Sequence, residues 1–229
     1  MAALRRRRPE AAQILLIAMI AVCTGIEGVL QLGDAGVAGV PRLRGTAYEY
    51  GGFWAQLLHD WRPNYALQPW AMFVTYGLFH GGLVHLAFNM VTLWSLGGAV
   101  AARAGAAGLA AIYAAGLVGG AATYGVIASA LQPMVGASGA LFGLAGALVG
   151  WGQADRRALR ESPWPILQAL GLLVAINLAM WWALDGNLAW ETHLGGFVAG
   201  WLAGRAVDPG TGSETDLDAG PGTGPPEDP

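Results

Sequence analysis

The stretch "GASGALFGLAGALVG", residues 136–150, combines apolar residues with glycines at helical spacing. A second stretch, "ETHLGGFVAGWLAG" at residues 191–204, repeats this spacing. The glycines are Gly139, Gly143, Gly146 and Gly150 in the first stretch and Gly196, Gly200 and Gly204 in the second. Because small residues four apart let helix backbones approach closely in a membrane, the two stretches predict a pair of helices in glycine contact.

The composition favours a membrane protein. Of the 229 residues, 55% are hydrophobic and 12% are charged, whereas soluble domains have roughly 25% charged residues. The basic start "MAALRRRRPE" leads into an apolar run that continues past residue 22 without a small-residue cleavage site, so we interpret the run as a membrane helix rather than a signal peptide. The single cysteine, Cys23, excludes an internal disulfide and a multi-cysteine metal site.

Several segments have the length of a membrane helix, which needs roughly 20 apolar residues. The candidates are residues 11–32, 80–101, 105–130, 137–153, 164–184 and 189–207. The sequence therefore predicts an all-α membrane protein with a bundle of six transmembrane helices.

The same pattern divides the chain into regions. We expect a basic cytoplasmic N-terminus at residues 1–10, the six-helix domain at 11–207 and a disordered acidic cytoplasmic tail at 208–229. Within the domain, residues 33–69 form a long first loop on the periplasmic side, and its many aromatic residues suit the headgroup layer.

The distribution of arginine predicts the orientation of the chain. With both termini in the cytoplasm, nine of the twelve basic residues lie inside and three lie in the first loop. The positive-inside rule favours this arrangement, because the opposite one reverses the ratio. The predicted helices at 80–101, 137–153 and 189–207 then all begin at the periplasmic face. Abundant Ala, Gly and Arg without lysine favour a bacterial inner membrane as the location.

Polar residues near the starts of these three helices are the candidate functional residues, because polar groups inside a membrane are costly. They are His85 and Asn89 in the first helix, Ser138 in the second and His193 in the third. At 1.5 Å per residue, their common depth is roughly 5–10 Å below the surface. His85 and Asn89 are four residues apart and therefore share a helix face.

This group of side chains predicts acyl-transfer chemistry. A serine hydroxyl becomes a nucleophile when a neighbouring base takes its proton, and the glycine contact would bring His193 near Ser138. The tetrahedral intermediate needs donors for its oxyanion, and Asn89, His85 and the backbone N–H of Ser138 are available at this depth. We expect neither a metal nor a cofactor.

Three separated motifs resemble the rhomboid family of intramembrane serine proteases. They are "TYGLFHGGLVHLAFN" at residues 75–89, "GASG" at 136–139 and "HLGGFVAG" at 193–200. The resemblance covers residues 75–204 and includes the order of the motifs along the chain. It implies a six-helix core with the nucleophile on the fourth helix.

The resemblance also implies individual roles. Ser138 corresponds to the nucleophile, His193 to the general base of a dyad, and His85 and Asn89 to the side chains that bind the oxyanion. Gly136 corresponds to the first glycine of the serine motif. The implied substrates are single-pass membrane proteins cut near the periplasmic face, and the implied gate is the helix at 164–184 with its flanking loops. The lipid bilayer is the other expected partner, and we expect no nucleic acid.

Two positions depart from the family pattern. Many members have Trp-Arg ahead of the second membrane helix, whereas this chain has "QPWAMFVT" and its nearest preceding arginine is Arg62, eight residues before Trp70. The residue four after the nucleophile is often a tyrosine stacked on the histidine. Here it is Phe142, which can stack but has no hydroxyl.

Other functions have less support in the sequence. A zinc protease lacks support because the four histidines form no His-Glu-x-x-His motif. A transporter would have polar residues across the full membrane depth, whereas here they stop near one face. A catalytically inactive relative that binds membrane proteins as a scaffold remains the alternative. Glu27 and Asn177 are two further intramembrane polar residues, for which we expect hydrogen bonds between helices.

Overall fold

A computed structural model describes residues 9–208 except 38, 129 and 184, and this part of the chain is helical. The helices are α1 (Pro9–Asp34), α2 (Leu43–Gly51), α3 (Gln68–Thr75), α4 (Leu83–Ile127), α5 (Ser138–Ala158), α6 (Trp164–Ala183) and α7 (Trp190–Val207). Two 3-10 helices, Ala55–Leu58 and Tyr76–Leu78, lie around α3. Among the described residues, the only β-type pairing is an isolated antiparallel bridge between Phe53 and Met134. Residues 1–8 of the predicted N-terminus and 209–229 of the predicted tail lie outside it.

Helix α4 contains two of the predicted membrane helices. Gly105 has φ 71° and ψ −173°, a conformation open to glycine, and it divides α4 into α4a (83–104) and α4b (106–127). The two segments lie side by side, since a Cβ added at Gly97 would be 3.6 Å from Leu109. The predicted start at residue 80 is wrong by three residues, because His80 precedes the helix.

Three described helices are long and apolar enough to cross a membrane, namely Glu10–Asp34, Leu83–Ile127 and Trp164–Trp182. The second has 45 residues, about 68 Å of helix, so its two segments together exceed one bilayer thickness. Helices α5 and α7 are shorter and rich in glycine. The all-helical membrane architecture is confirmed, and the count of six spans stays a prediction.

The predicted glycine contact joins α5 to α7. A Cβ on Gly196 would collide with the carbonyl oxygen of Gly139, and one on Gly200 would collide with that of Gly143. Backbone therefore meets backbone at both places, and close van der Waals packing rather than large side chains holds the two helices together.

Helix α4b packs into the same junction, a contact that the glycine spacing of α5 and α7 does not predict. A Cβ on Gly116 would lie 2.9 Å from the Gly143 Cα, and one on Gly120 would lie 2.8 Å from the Thr192 carbonyl oxygen. Three glycine-bearing helices therefore meet along one line, which fixes the separation of their ends.

The first loop is partly helical. It contains α2 and the start of α3, and Arg44 anchors it to α1. The Arg44 guanidinium donates to both carboxylate oxygens of Glu27, at 2.8 and 3.0 Å, and to Asp34 at 2.7 Å. The Glu27 side chain is fully buried, so this pair holds the loop against the bundle. Arg62 is exposed and makes no ion pair among the described residues.

Two groups in the loop have a pKa above its ordinary value, each for its own reason. The hydrogen bond to Glu27 raises the pKa of the Arg44 guanidinium above its ordinary value. Burial raises the pKa of the Tyr48 hydroxyl, which donates to the His80 carbonyl oxygen at 2.5 Å. Arg44 also donates to that oxygen, at 3.0 Å, so the loop is connected directly to the segment that precedes α4.

The opposite end of the bundle is held by a second arginine. Arg103, near the bend of α4, pairs with Asp155 at the end of α5 at 2.5 Å and with Asp208 beyond α7 at 3.1 Å. Asp208 was assigned to the disordered tail and instead takes part in this contact. The ends of α5 and α7 thus lie together, opposite their starts.

We predict that Gly200→Ala destabilises the protein by about 1–3 kcal/mol, the usual cost of overpacking. The added methyl group would collide with the Gly143 backbone. Thermal unfolding in detergent measures the effect. Gly171→Ala on α6 is the matched control, since its Cβ would meet no atom within 4 Å. Equal melting temperatures for Gly200→Ala and wild type would contradict the glycine contact.

We predict that Arg44→Met costs about 3–5 kcal/mol, because it leaves the buried Glu27 carboxylate without its counter-charge. Chemical unfolding in detergent provides the measurement, with Arg62→Met as the control at an exposed arginine. Adding Glu27→Gln should restore part of the loss, because it removes the stranded charge. If Arg62→Met proved as damaging as Arg44→Met, the anchor would be misassigned.

Candidate active site

The starts of α4, α5 and α7 meet at one end of the bundle, and the predicted site residues lie there. Ser138 is the first residue of α5. The preceding Gly136 has φ 128°, which side chains rarely adopt. A Cβ at Gly136 would lie 2.8 Å from His85 Cε1. This glycine thus lets the α5 start lie directly against the His85 ring.

Ser138 and His193 are in hydrogen-bond contact. The Ser138 Oγ lies 2.9 Å from the His193 Nε2. The Ser138 residue is half-buried and the His193 residue is buried. The Phe142 ring stacks on the imidazole with centroids 4.3 Å apart and planes at 11°. Phe142 therefore stacks on His193 without a hydroxyl.

The other ring nitrogen of His193 contacts α6. The Asn177 Oδ1 lies 2.6 Å from the His193 Nδ1. The expectation of an interhelical hydrogen bond at Asn177 is confirmed, but its partner was not predicted. The only signal in the sequence was a polar amide within the apolar run of α6. The partner is an amide rather than a carboxylate.

His85 and Asn89 lie on one face of α4, beside the start of α5. The Gly81 N–H donates to the His85 Nδ1 at 3.1 Å, so the proton of the neutral ring is on Nε2. That nitrogen faces Gly136, where an added Cβ would be 3.0 Å away. The Asn89 Nδ2 donates to the His85 carbonyl oxygen at 2.9 Å, which leaves its second hydrogen available.

The α5 start adds backbone donors. The hydrogen bonds of α5 start with the Leu141 N–H, which donates to the Ala137 carbonyl oxygen at 3.1 Å. The N–H groups that precede it in α5 have no such partner, as is general for the first turn of a helix. The Ser138 N–H is one of them and lies beside its own hydroxyl. Donors thus surround Ser138.

His80 lies outside this group. It is fully buried, and neither ring nitrogen has a hydrogen-bond partner in the described part of the chain. Its ring packs against the His85 ring in an edge-to-face arrangement, with the two centroids 5.3 Å apart. His80 therefore packs behind His85. Within the described residues, no group of three or more His, Cys, Asp or Glu side chains could hold a metal ion.

The chain resembles several known proteins over part of its length. It is 34% identical to Rhomboid protease GluP of Bacillus subtilis over 139 residues, which is 60% of this chain and 26% of the relative. It is 29% identical to Rhomboid-type serine protease 2 of Emericella nidulans over 149 residues, 62% of this chain and 28% of the relative. It is 32% identical to RHOMBOID-like protein 5 of Arabidopsis thaliana over 128 residues, 55% of this chain and 40% of the relative.

These matches cover a quarter to two fifths of each relative's length, so most of each relative lies outside the match. The family model of the Rhomboid domain matches residues 67–208. That span is more than half of the chain and contains Ser138, His193, His85 and Asn89. The chain belongs to the rhomboid family.

Proposed function

We propose that this chain is a serine endopeptidase that hydrolyses peptide bonds in or near the membrane helices of other proteins. The observation that carries the proposal is the 2.9 Å contact between the Ser138 Oγ and the His193 Nε2. A hydroxyl next to an unprotonated imidazole is the arrangement that generates a serine nucleophile. The names of two relatives, a protease and a serine protease, support the same chemistry.

In the first step, the Ser138 Oγ attacks the carbonyl carbon of the substrate while its proton moves to the His193 Nε2. The new C–O bond converts the carbonyl into a tetrahedral oxyanion. When this intermediate collapses, the C–N bond breaks and His193 returns the proton to the leaving amine. The N-terminal part of the substrate then remains as an ester on Ser138.

In the second step, a water molecule attacks the ester and gives a proton to His193. The second tetrahedral intermediate releases the carboxylic acid and restores the Ser138 hydroxyl. In both steps the oxyanion needs donors already in place. The His85 Nε2–H, the second Asn89 Nδ2–H and the Ser138 N–H are the three groups that we assign to this role.

The substrate class follows from the position of the site. Ser138 lies at one end of a bundle that contains membrane-length helices, so a membrane-embedded chain can reach it sideways. Since helical hydrogen bonds shield peptide groups, the substrate must unwind locally before attack. We therefore propose single-pass membrane proteins with easily unwound helices as substrates.

We place the protein in a bacterial inner membrane, with both termini in the cytoplasm and the site near the periplasmic face. Arg103 lies at the opposite end of the bundle from Ser138, and further arginines follow α5 at 156, 157 and 160. The positive-inside rule assigns that end to the cytoplasm. This orientation leaves the start of α5 facing the periplasm.

We predict that Ser138→Ala and His193→Ala each lower cleavage of a purified reporter with a single membrane helix by at least about 10³-fold. The first change removes the nucleophile, and the second removes its base. Ser95→Ala and His59→Ala are the controls, because both residues are exposed and neither is among the site residues. Product analysis by mass spectrometry gives the rate and the cleaved bond.

Two results of that assay would count against the proposal. Cleavage that survives Ser138→Ala would assign the activity to another group. A wild-type protein that binds the reporter without cutting it would instead favour the inactive scaffold, which is the alternative function for a member of this family.

We predict that Asn89→Leu lowers kcat by about 10²–10³-fold with little change in KM, because the lost donor serves the transition state rather than substrate binding. Leucine keeps nearly the same volume. Steady-state kinetics with the reporter in detergent measures both constants. An unchanged kcat would remove Asn89 from the proposed oxyanion site.

A further inference from the structure

Helix α6 contacts the bundle along one narrow stripe. Its half-buried residues are Ile166, Leu170, Leu173 and Asn177, and every other residue from 164 to 182 is exposed. Asn177 is the polar member of this stripe. A polar side chain on a membrane helix is expensive unless it has a specific partner. The partner of Asn177 is the imidazole of His193.

The orientation of the Asn177 amide is fixed by a second hydrogen bond. Its Nδ2 donates to the Leu173 carbonyl oxygen at 3.0 Å within α6. The amide nitrogen is therefore directed toward the α6 backbone, and the Oδ1 is directed toward the His193 Nδ1 at 2.6 Å. Because an amide oxygen only accepts hydrogen bonds, the proton of the neutral imidazole belongs on Nδ1.

This assignment decides the state of the other ring nitrogen. With the proton on Nδ1, the Nε2 has a free lone pair toward the Ser138 Oγ. In the opposite tautomer, an Nε2–H would face the serine hydroxyl and could not take its proton. The Phe142 stacking fixes the plane of the ring but does not select between the two tautomers. Asn177 is the group that selects.

We propose that Asn177 is the positioning residue of His193, holding the imidazole in the tautomer and orientation that accept the Ser138 proton. This role rests on the proposed function and makes α6 a contributor to the site. Since α6 contacts the bundle only along its stripe, the competence of His193 depends on the seating of the helix that supplies Asn177.

The test compares kinetic constants and melting temperatures of four proteins. Asn177→Leu removes the acceptor and keeps the volume, whereas Asn177→Asp keeps an acceptor oxygen in either protonation state. Gln168→Leu is the matched control, because it removes an exposed amide from the same helix. We expect Asn177→Leu to lower kcat at least about tenfold with KM and melting temperature unchanged, as for loss of a histidine's orienting partner.

We expect Asn177→Asp to recover most of the lost kcat and Gln168→Leu to match the wild type. A wild-type kcat in Asn177→Leu, or an equal loss in Asn177→Asp, overturns the positioning role. If Asn177→Leu melts early, Asn177→Ala decides in the same way, because it removes the acceptor without adding bulk. Inactivity of the wild type and of Gln168→Leu together would instead refute the proposed function itself.

Discussion

The backbones of α5 and α7 touch where Gly139 meets Gly196 and where Gly143 meets Gly200. No side chain other than hydrogen fits between them, so the two helix axes are fixed at their closest separation. The start of each helix is fixed with them, and this brings Ser138 within hydrogen-bond distance of a histidine on the other helix. A contact without side chains thus sets the distance on which the chemistry depends.

Several polar groups in the rest of the bundle are paired away from water, which offsets the cost of burying them. Glu27 on α1 is neutralised by Arg44 from the first loop, and Arg103 joins the far ends of the helices through Asp155. His193 uses both ring nitrogens, one toward Ser138 and one toward Asn177. At the site, Ser138 is paired with His193 but stays half-buried.

Periodic and local features of the fold could be predicted from the sequence. The glycine spacing predicts the α5–α7 contact, because it depends on residues one turn apart. Contacts between segments far apart in the chain could not be predicted. Nothing in "QPWAMFVT" indicates that Arg44, rather than Arg62, anchors the first loop to Glu27, because the pair depends on how the loop folds.

The site shows the same division. Ser138, His193, His85 and Asn89 each lie near a helix start, so helix periodicity and a common depth were enough to group them. Asn177 is the last residue of its stripe on α6, at no recognisable motif. Its contact with His193 depends on the rotation of α6 about its axis. A helix with apolar residues on every side gives little indication of that rotation.

The most direct measurement is to treat the purified protein in detergent with a fluorophosphonate, which phosphonylates activated serines with loss of fluoride, and to locate the adduct by mass spectrometry. If His193 activates Ser138 across the glycine contact, the adduct will form on Ser138 and will be absent from His193→Ala. An unmodified Ser138 in the wild type, or equal modification in His193→Ala, would contradict this account.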